Sequence, residues 1–124
     1  MSKPQRDKNY DAVSEAKLCH ARMSARKARL VCDLIRGKRV GDAINLLTIT
    51  HKPSAAPEVL QVLKSARANA RTAADVEDVD ALVVSQVFVD GAAMLKRMRP
   101  APMGRGVRVR KRTCHITIRL NHEL

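Results

Sequence analysis

Between Gly91 and Leu120 the chain carries nine lysines and arginines and not one aspartate or glutamate. Like charges at that density repel one another, and nothing within the stretch can neutralise them. The segment cannot collapse into a core of its own; it needs water or an external polyanion around it. Elsewhere fifteen basic residues stand against twelve acidic ones, so most of the formal charge of +12 sits in these thirty residues. A charge run is ordinarily a solvated loop, but solvated loops mix signs. A localised field of one sign is the footprint of a nucleic-acid or anionic-surface partner.

The same stretch alternates like a strand. Val107 and Val109 alternate with Arg108, Arg110 and Arg112; further on, Ile116, Ile118 and Leu120 alternate with His115, Thr117 and Arg119. The apolar positions change from odd to even, which predicts a bulge or strong twist within 110–115. Upstream, ALVVSQVFV (81–89) is β-branched and aromatic and reads as a buried strand. The simplest topology joins 81–97 and 106–120 as one antiparallel hairpin with PAPMGRG (100–106) at its tip. Arms that outrun the body by about ten residues, at ~3.3 Å each, project on the order of 30 Å. A two-stranded ribbon is marginal in water, so this one is expected to order fully only against a polyanion. Gly104 and Gly106 permit positive φ or close approach, while Pro100 and Pro102 stiffen the tip.

The remainder reads as one modest core, within the reach of 124 residues. Residues 1–10 form a polar terminus, and 11–20 contain a short strand. Ser24 is an N-cap for a helix ended by Gly37, with Ala28, Val31, Leu34 and Ile35 on its apolar stripe. Its other face carries Arg26, Lys27, Arg29 and Arg36, with Lys38 just beyond; this is either a solvated face or a second phosphate contact. A second helix runs from Gly41 to about Thr48 and buries Ala43, Ile44 and Leu47. A third follows Ser54, with Val59, Val62, Leu63, Ala66, Ala70 and Ala73 in line and Pro57 in its first turn. VEDVD (76–80) is an acidic turn. The fold class is α+β: three helices on a small antiparallel sheet with a protruding β-hairpin.

Several function classes lose support. Three cysteines, an odd number without CxxC spacing, suggest reduced thiols in a cytosolic compartment. In Cys19-His20 and Cys114-His115, adjacent strand residues point to opposite faces, so neither pair chelates one ion well. One Tyr, one Phe and no Trp leave too few rings for a base-stacking platform. No Gly-rich phosphate loop and no Ser-His-Asp pattern is visible, so neither enzyme nor cofactor nor small-molecule substrate is expected. No apolar run is long enough to span a bilayer, and the polar start is read as neither signal nor transit peptide. INLLTIT offers little to read base edges, which argues against a helix-turn-helix.

SARKARLVCDLIRGKRV (24–40), VLKSARANA (62–70) and GRGVRVRKRTCHITI (104–118) together resemble the family of bacterial large-subunit ribosomal protein L twenty-two. The likeness runs in order from about Ala16 to Leu120. It implies a single domain: a body over about 11–90 and 113–124, and a hairpin over about 85–115 with its tip at 98–106. It implies a cytoplasmic, ribosomal protein that binds large-subunit rRNA, supports assembly and lines the nascent-peptide exit tunnel. Partners implied are that rRNA, neighbouring large-subunit ribosomal proteins and the passing nascent peptide, with no membrane. The rRNA-contacting set is then Lys96, Arg97, Arg99, Arg105, Arg108, Arg110, Lys111, Arg112, Thr113 and His115, with Arg26, Lys27, Arg29, Arg36 and Lys38 from the body. The tunnel-facing set is Met98, Arg99, Pro100, Ala101, Pro102, Met103 and Gly104. Three departures stand out. Ala25 replaces the usual Pro after the N-cap, Cys114 replaces Ser, and Ala101, Pro102 and Met103 follow Pro100 where two cations are usual. A free architectural nucleic-acid binder is the competing expectation, and a Cys/His metalloenzyme would require zinc.

Overall fold

The structure, a computed structural model, describes residues 12–72 and 75–123. The polar start at 1–10 and Ala73 of the third-helix stripe lie outside the described residues. In chain order the elements are β1 (Ser14–Ala21), α1 (Ala25–Ile35), α2 (Val40–Ile49), α3 (Ala56–Thr72), β2 (Val83–Gly91), β3 (Leu95–Ala101), β4 (Arg105–Lys111) and β5 (Cys114–Asn121). The α+β class follows directly. One three-stranded antiparallel sheet has the order β1-β5-β2, and β3 and β4 form a separate two-stranded ribbon.

The sheet is organised by its central strand. Ile116, Ile118 and Leu120 of β5 are fully buried, and Thr117 on the opposite face is buried as well. Flanking strands on both edges remove the exposed side that a hydrophobic strand would otherwise present. Across β1 and β2, Arg119 links Glu15 (3.1 Å) and Gln86 (3.0 Å) and lies 5.4 Å from the Phe88 ring centroid. This basic residue, though inside the acid-free stretch, thus has its counterion within the body.

Helices α1 and α3 cover the other face, and α2 packs against both of them. Ser24 caps α1, its side chain accepting from Lys27 N–H at 3.4 Å. The stripe that α1 buries is Ala28, Val31, Cys32 and Ile35, spaced i, i+3, i+4 and i+7. Leu34, expected in that stripe, is 41% exposed beside Leu30 at 61%. Cys32 takes the inward position instead, because the stripe follows i+4 from Ala28 rather than i+6. Gly37 closes the helix at φ 80°, a left-handed position suited to glycine. The connector then joins the sheet edge: Gly37 and Val84 O pair at 3.0 Å, and Val40 and Leu82 O at 2.8 Å. In α2, Ala43 and Leu47 are buried and Ile44 is half-buried.

Helix α3 buries Val59, Val62, Leu63, Ala66 and Ala70 against β1 and β5. Its alanines allow close approach, and Ser14 Oγ donates to Ala66 O at 2.9 Å. The acidic stretch after α3 ends in a 3₁₀ turn at Val79–Ala81, which buries Val79 and points Asp80 at Arg67 (3.0 Å). Leu82, also buried, completes the turn, so β2 starts at Val83 and continues to Gly91 rather than spanning 81–89.

Truncating the centre of this arrangement is expected to be costly. Ile118→Ala should lower unfolding free energy by about 2–5 kcal/mol, because the fully enclosed site cannot refill the deleted volume. Urea unfolding monitored by circular dichroism checks it; a loss under about 1 kcal/mol would mean that β5 is not the packing centre.

Candidate nucleic-acid interface

The ribbon is a continuation of the body strands through an irregular joint. Body pairing ends at Gly91 opposite Cys114, and ribbon pairing begins at Leu95 opposite Lys111. Three residues on one side, Ala92 to Met94, face two on the other, Arg112 and Thr113. This mismatch is the parity change that the sequence predicts within 110–115, realised as an interruption between two sheets. Two hydrogen bonds cross the joint: Ala92 N–H to Thr113 O (3.0 Å) and Thr113 Oγ1 to Ala93 O (2.6 Å).

Residues directly opposite in an antiparallel ribbon share a face. One face therefore carries the rungs Leu95/Lys111, Arg97/Val109, Arg99/Val107 and Ala101/Arg105. The other carries Lys96/Arg110, Met98/Arg108 and Pro100/Gly106. Cations thus occupy both faces. Sequence alternation along β4 alone suggests a valine face and an arginine face. The register removes that distinction, since Arg97 and Arg99 of β3 stand opposite Val109 and Val107. Lys96 directly opposite Arg110 is a like-charge rung, which destabilises the isolated ribbon.

None of these cations is neutralised by another described residue of the chain. The described residues contain three ion pairs, Arg36–Asp33, Arg67–Asp80 and Arg119–Glu15, and all lie in the body. Lys96, Arg99, Arg105, Arg108, Arg110 and Lys111 make no side-chain hydrogen bond or ion pair among the described residues, and Arg97 donates only to the neighbouring Lys96 O.

The turn is tighter than the seven-residue PAPMGRG tip. Strand pairing extends to Ala101 opposite Arg105, leaving a 3₁₀ turn at Pro102–Gly104. Met103 at φ 63° and Gly104 at φ 70° supply two successive left-handed residues that reverse the chain in so few steps. Pro100 fits inside a strand because both strands of a ribbon are edges. Gly106 has ordinary φ, and its lack of a Cβ makes room for Met98, whose methyl would lie 2.7 Å from one. Met103 is 94% exposed at the apex.

The body residues of the sequence-derived set divide. Arg26 and Lys27 are exposed in the first turn of α1. Arg29 donates through Nε and Nη2 to Val89 O (3.2 and 2.9 Å), and Arg36 donates to Val87 O (3.1 Å), so both brace α1 on β2. Lys38 lies exposed in the connector. Thr113 is buried with its hydroxyl used at the joint, and His115 Nδ1 accepts from His20 N–H at 3.1 Å. The internal engagement of Arg29 and Arg36 has no local signature, because β2 lies more than fifty residues away.

The two Cys-His pairs are divided by burial. Cys114 is buried and Cys19 exposed, while His20 and His115 meet edge to face at 4.8 Å. Among the described residues no group of three His, Cys, Asp or Glu side chains is placed to hold an ion. Burial pushes the Cys32 thiol up to about 12, against a smaller opposing effect of Arg36; burial raises Cys114 too.

Residues 16–121 match the family described as "Ribosomal protein L22p/L17e". The large ribosomal subunit protein uL22 of Trichlorobacter lovleyi is 49% identical over 108 residues, covering 87% of this chain and 94% of the relative. Fold, ribbon and comparison together define a ribosomal protein, structural rather than enzymatic. The chain belongs to the ribosomal protein L22p/L17e family.

The thiols offer a test of the site's geometry. A thiol reagent near neutral pH should modify Cys19 quickly and reach Cys32 and Cys114 only after denaturation; rapid modification of all three would contradict the packing. The raised pKa also fixes a sign. From about 9 to about 12 the unfolded chain releases the Cys32 proton that the folded chain retains. Stability should therefore fall as pH rises through that window, and Cys32→Ala should remove this part of the slope in alkaline urea titrations.

Proposed function

We propose that this chain is a structural component of the large ribosomal subunit in the cytoplasm. In this reading the β3–β4 ribbon is threaded through large-subunit rRNA and its apex lines the nascent-peptide exit tunnel. The observation that carries the proposal is a ribbon with seven cations, four on one face and three on the other, and no counterion within the described chain. A ribbon laid on a flat anionic surface needs charge on one face; charge on both suits enclosure by phosphates. The uL22 relative, similar over nearly its full length, bears the name of a large-subunit protein.

Roles then follow from position. Lys96, Arg108 and Arg110 neutralise phosphates on one side, and Arg97, Arg99, Arg105 and Lys111 on the other. Arginine adds bidentate contacts suited to irregular RNA. Arg26, Lys27, Arg29, Arg112 and Lys38 extend the contact onto the body, while Arg36, Thr113 and His115 shape the surface that RNA meets. Ordering a repulsive ribbon against RNA supports subunit assembly, because ribbon and RNA each fix the other. The segment from Met98 to Gly104 faces the tunnel and the passing peptide, with Met103 at its apex. Fewer tip cations than the family pattern leave Arg99 and Arg105 as the charges nearest the turn. Neighbouring ribosomal proteins complete the setting.

A large-subunit rRNA transcript should bind with steep salt dependence. Neutralising six or more phosphates predicts about 10³-fold or greater weakening between roughly 50 and 200 mM salt. The chain should also co-sediment with large subunits on a gradient. A flat salt response overturns the proposal, and recovery chiefly on DNA would support a free architectural binder instead.

A further inference from the structure

Where the ribbon leaves the body there is a cavity of about 600 Å³, lined by Ser24, Ala25, Arg26 and Arg29 on one side and by the joint, including Met94, Arg112 and Thr113, on the other. Three arginines from two separate parts of the fold converge there, and no residue lining the cavity is acidic. Their states differ in an informative way. Arg29 is held in place by Val89 O through Nε and Nη2, which leaves Nη1 without a partner among the described residues. Arg26 and Arg112 make no side-chain hydrogen bond or ion pair among the described residues.

Among the described residues, Arg26 and Arg112 gain no partner from this arrangement. Arg26 sits in the first turn of α1, which contains no acid, where a cation opposes the helix dipole. Arg112 adds its charge to the same cavity from across the joint. Three like charges around one space repel one another, and an anion placed between them relieves that repulsion. Arginine forks match the oxygens of a phosphate, and a phosphate is small beside this cavity, so ordered water can share it.

We infer that this cavity is a phosphate seat, in which one RNA backbone phosphate is gripped jointly by Arg26 and Arg29 of α1 and Arg112 of the ribbon root. The seat rests on the RNA-binding reading above and gives it a mechanical element. Only a short irregular joint connects ribbon to body, crossed by the Ala92–Thr113 and Thr113–Ala93 hydrogen bonds. A phosphate held from both sides adds a third tie across that joint. It sets the angle at which the ribbon leaves the body when the RNA arrives.

A double-mutant cycle on the full-length chain, with a large-subunit rRNA transcript as probe, tests the seat. Arg26→Ala and Arg112→Ala are both exposed and unpartnered substitutions, and unchanged thermal melting establishes that each variant is folded. Each should weaken binding about tenfold, the loss of a charge-assisted contact. Because the two share one phosphate, the double variant should lose only about 10- to 20-fold rather than the hundredfold product. Arg108→Ala, placed mid-ribbon, should combine with Arg26→Ala multiplicatively. Multiplicative losses for Arg26 and Arg112, or no loss from either while Arg108→Ala still weakens binding, overturn the seat and leave the RNA-binding reading standing. Absence of binding by the unmodified chain overturns both.

Discussion

Uncompensated repulsion within the ribbon is the constraint around which the rest of the molecule is arranged. Lys96 faces Arg110 across one rung, further cations occupy the rungs on both faces, and their counterions are absent from the described chain. Such a ribbon gains little from folding alone. Its register has to be imposed at its base and its charge neutralised from outside. The base is held because β5 is the central strand, with Ile116, Ile118 and Leu120 fully buried on one face and β1 and β2 paired to its two edges. Two strands of that sheet run directly toward the ribbon, so the hydrophobic core fixes where the charged arm starts.

The arginines divide according to the same constraint. Arg119 and Arg67 are tied to Glu15 and Asp80, and Arg29 and Arg36 to carbonyls of β2, which makes them part of the body's own bonding. Exposed ion pairs of this kind contribute little individually, roughly 0–1 kcal/mol. Their use is to hold helix and sheet in register. Besides Arg22, Arg39 and Arg71 elsewhere on the body, the arginines without a side-chain partner among the described residues are Arg26 in the first turn of α1, Arg112 at the ribbon root, and Arg99, Arg105, Arg108 and Arg110 along the ribbon, where a polyanion is proposed to run.

Much of this was legible in the residues. Helical spacing located all three helices to within one or two residues, Ser24 and Gly37 marked the ends of α1, and the parity change between Val109 and Ile116 marked the joint. What was not legible depended on partners distant in sequence. Leu34 follows Val31 by three residues and Cys32 follows Ala28 by four, so spacing admits both, and the packing of α1 on β2, β5 and α3 places Cys32 inside. The division of Arg26, Arg29 and Arg36 into free and engaged side chains requires the carbonyls of Val87 and Val89. The two-faced charge of the ribbon requires the register, which sets Arg97 and Arg99 opposite the valines. The turn was shorter than its glycines and prolines suggested because Met103, not a glycine, adopts the first left-handed conformation. The clustering of cations at the root combines residues nearly ninety positions apart, and no local pattern announces it.

The most direct measurement is a cryo-electron-microscopy map of large ribosomal subunits from cells producing this chain, interpreted at residues 94–112. The account predicts rRNA phosphates against both faces of the ribbon, next to Lys96 and Arg110 on one side and Arg97 and Arg99 on the other, with Met103 at the tunnel wall. A ribbon lying on the solvent-exposed surface of the subunit, or one with RNA against a single face and the other open to water, would contradict it.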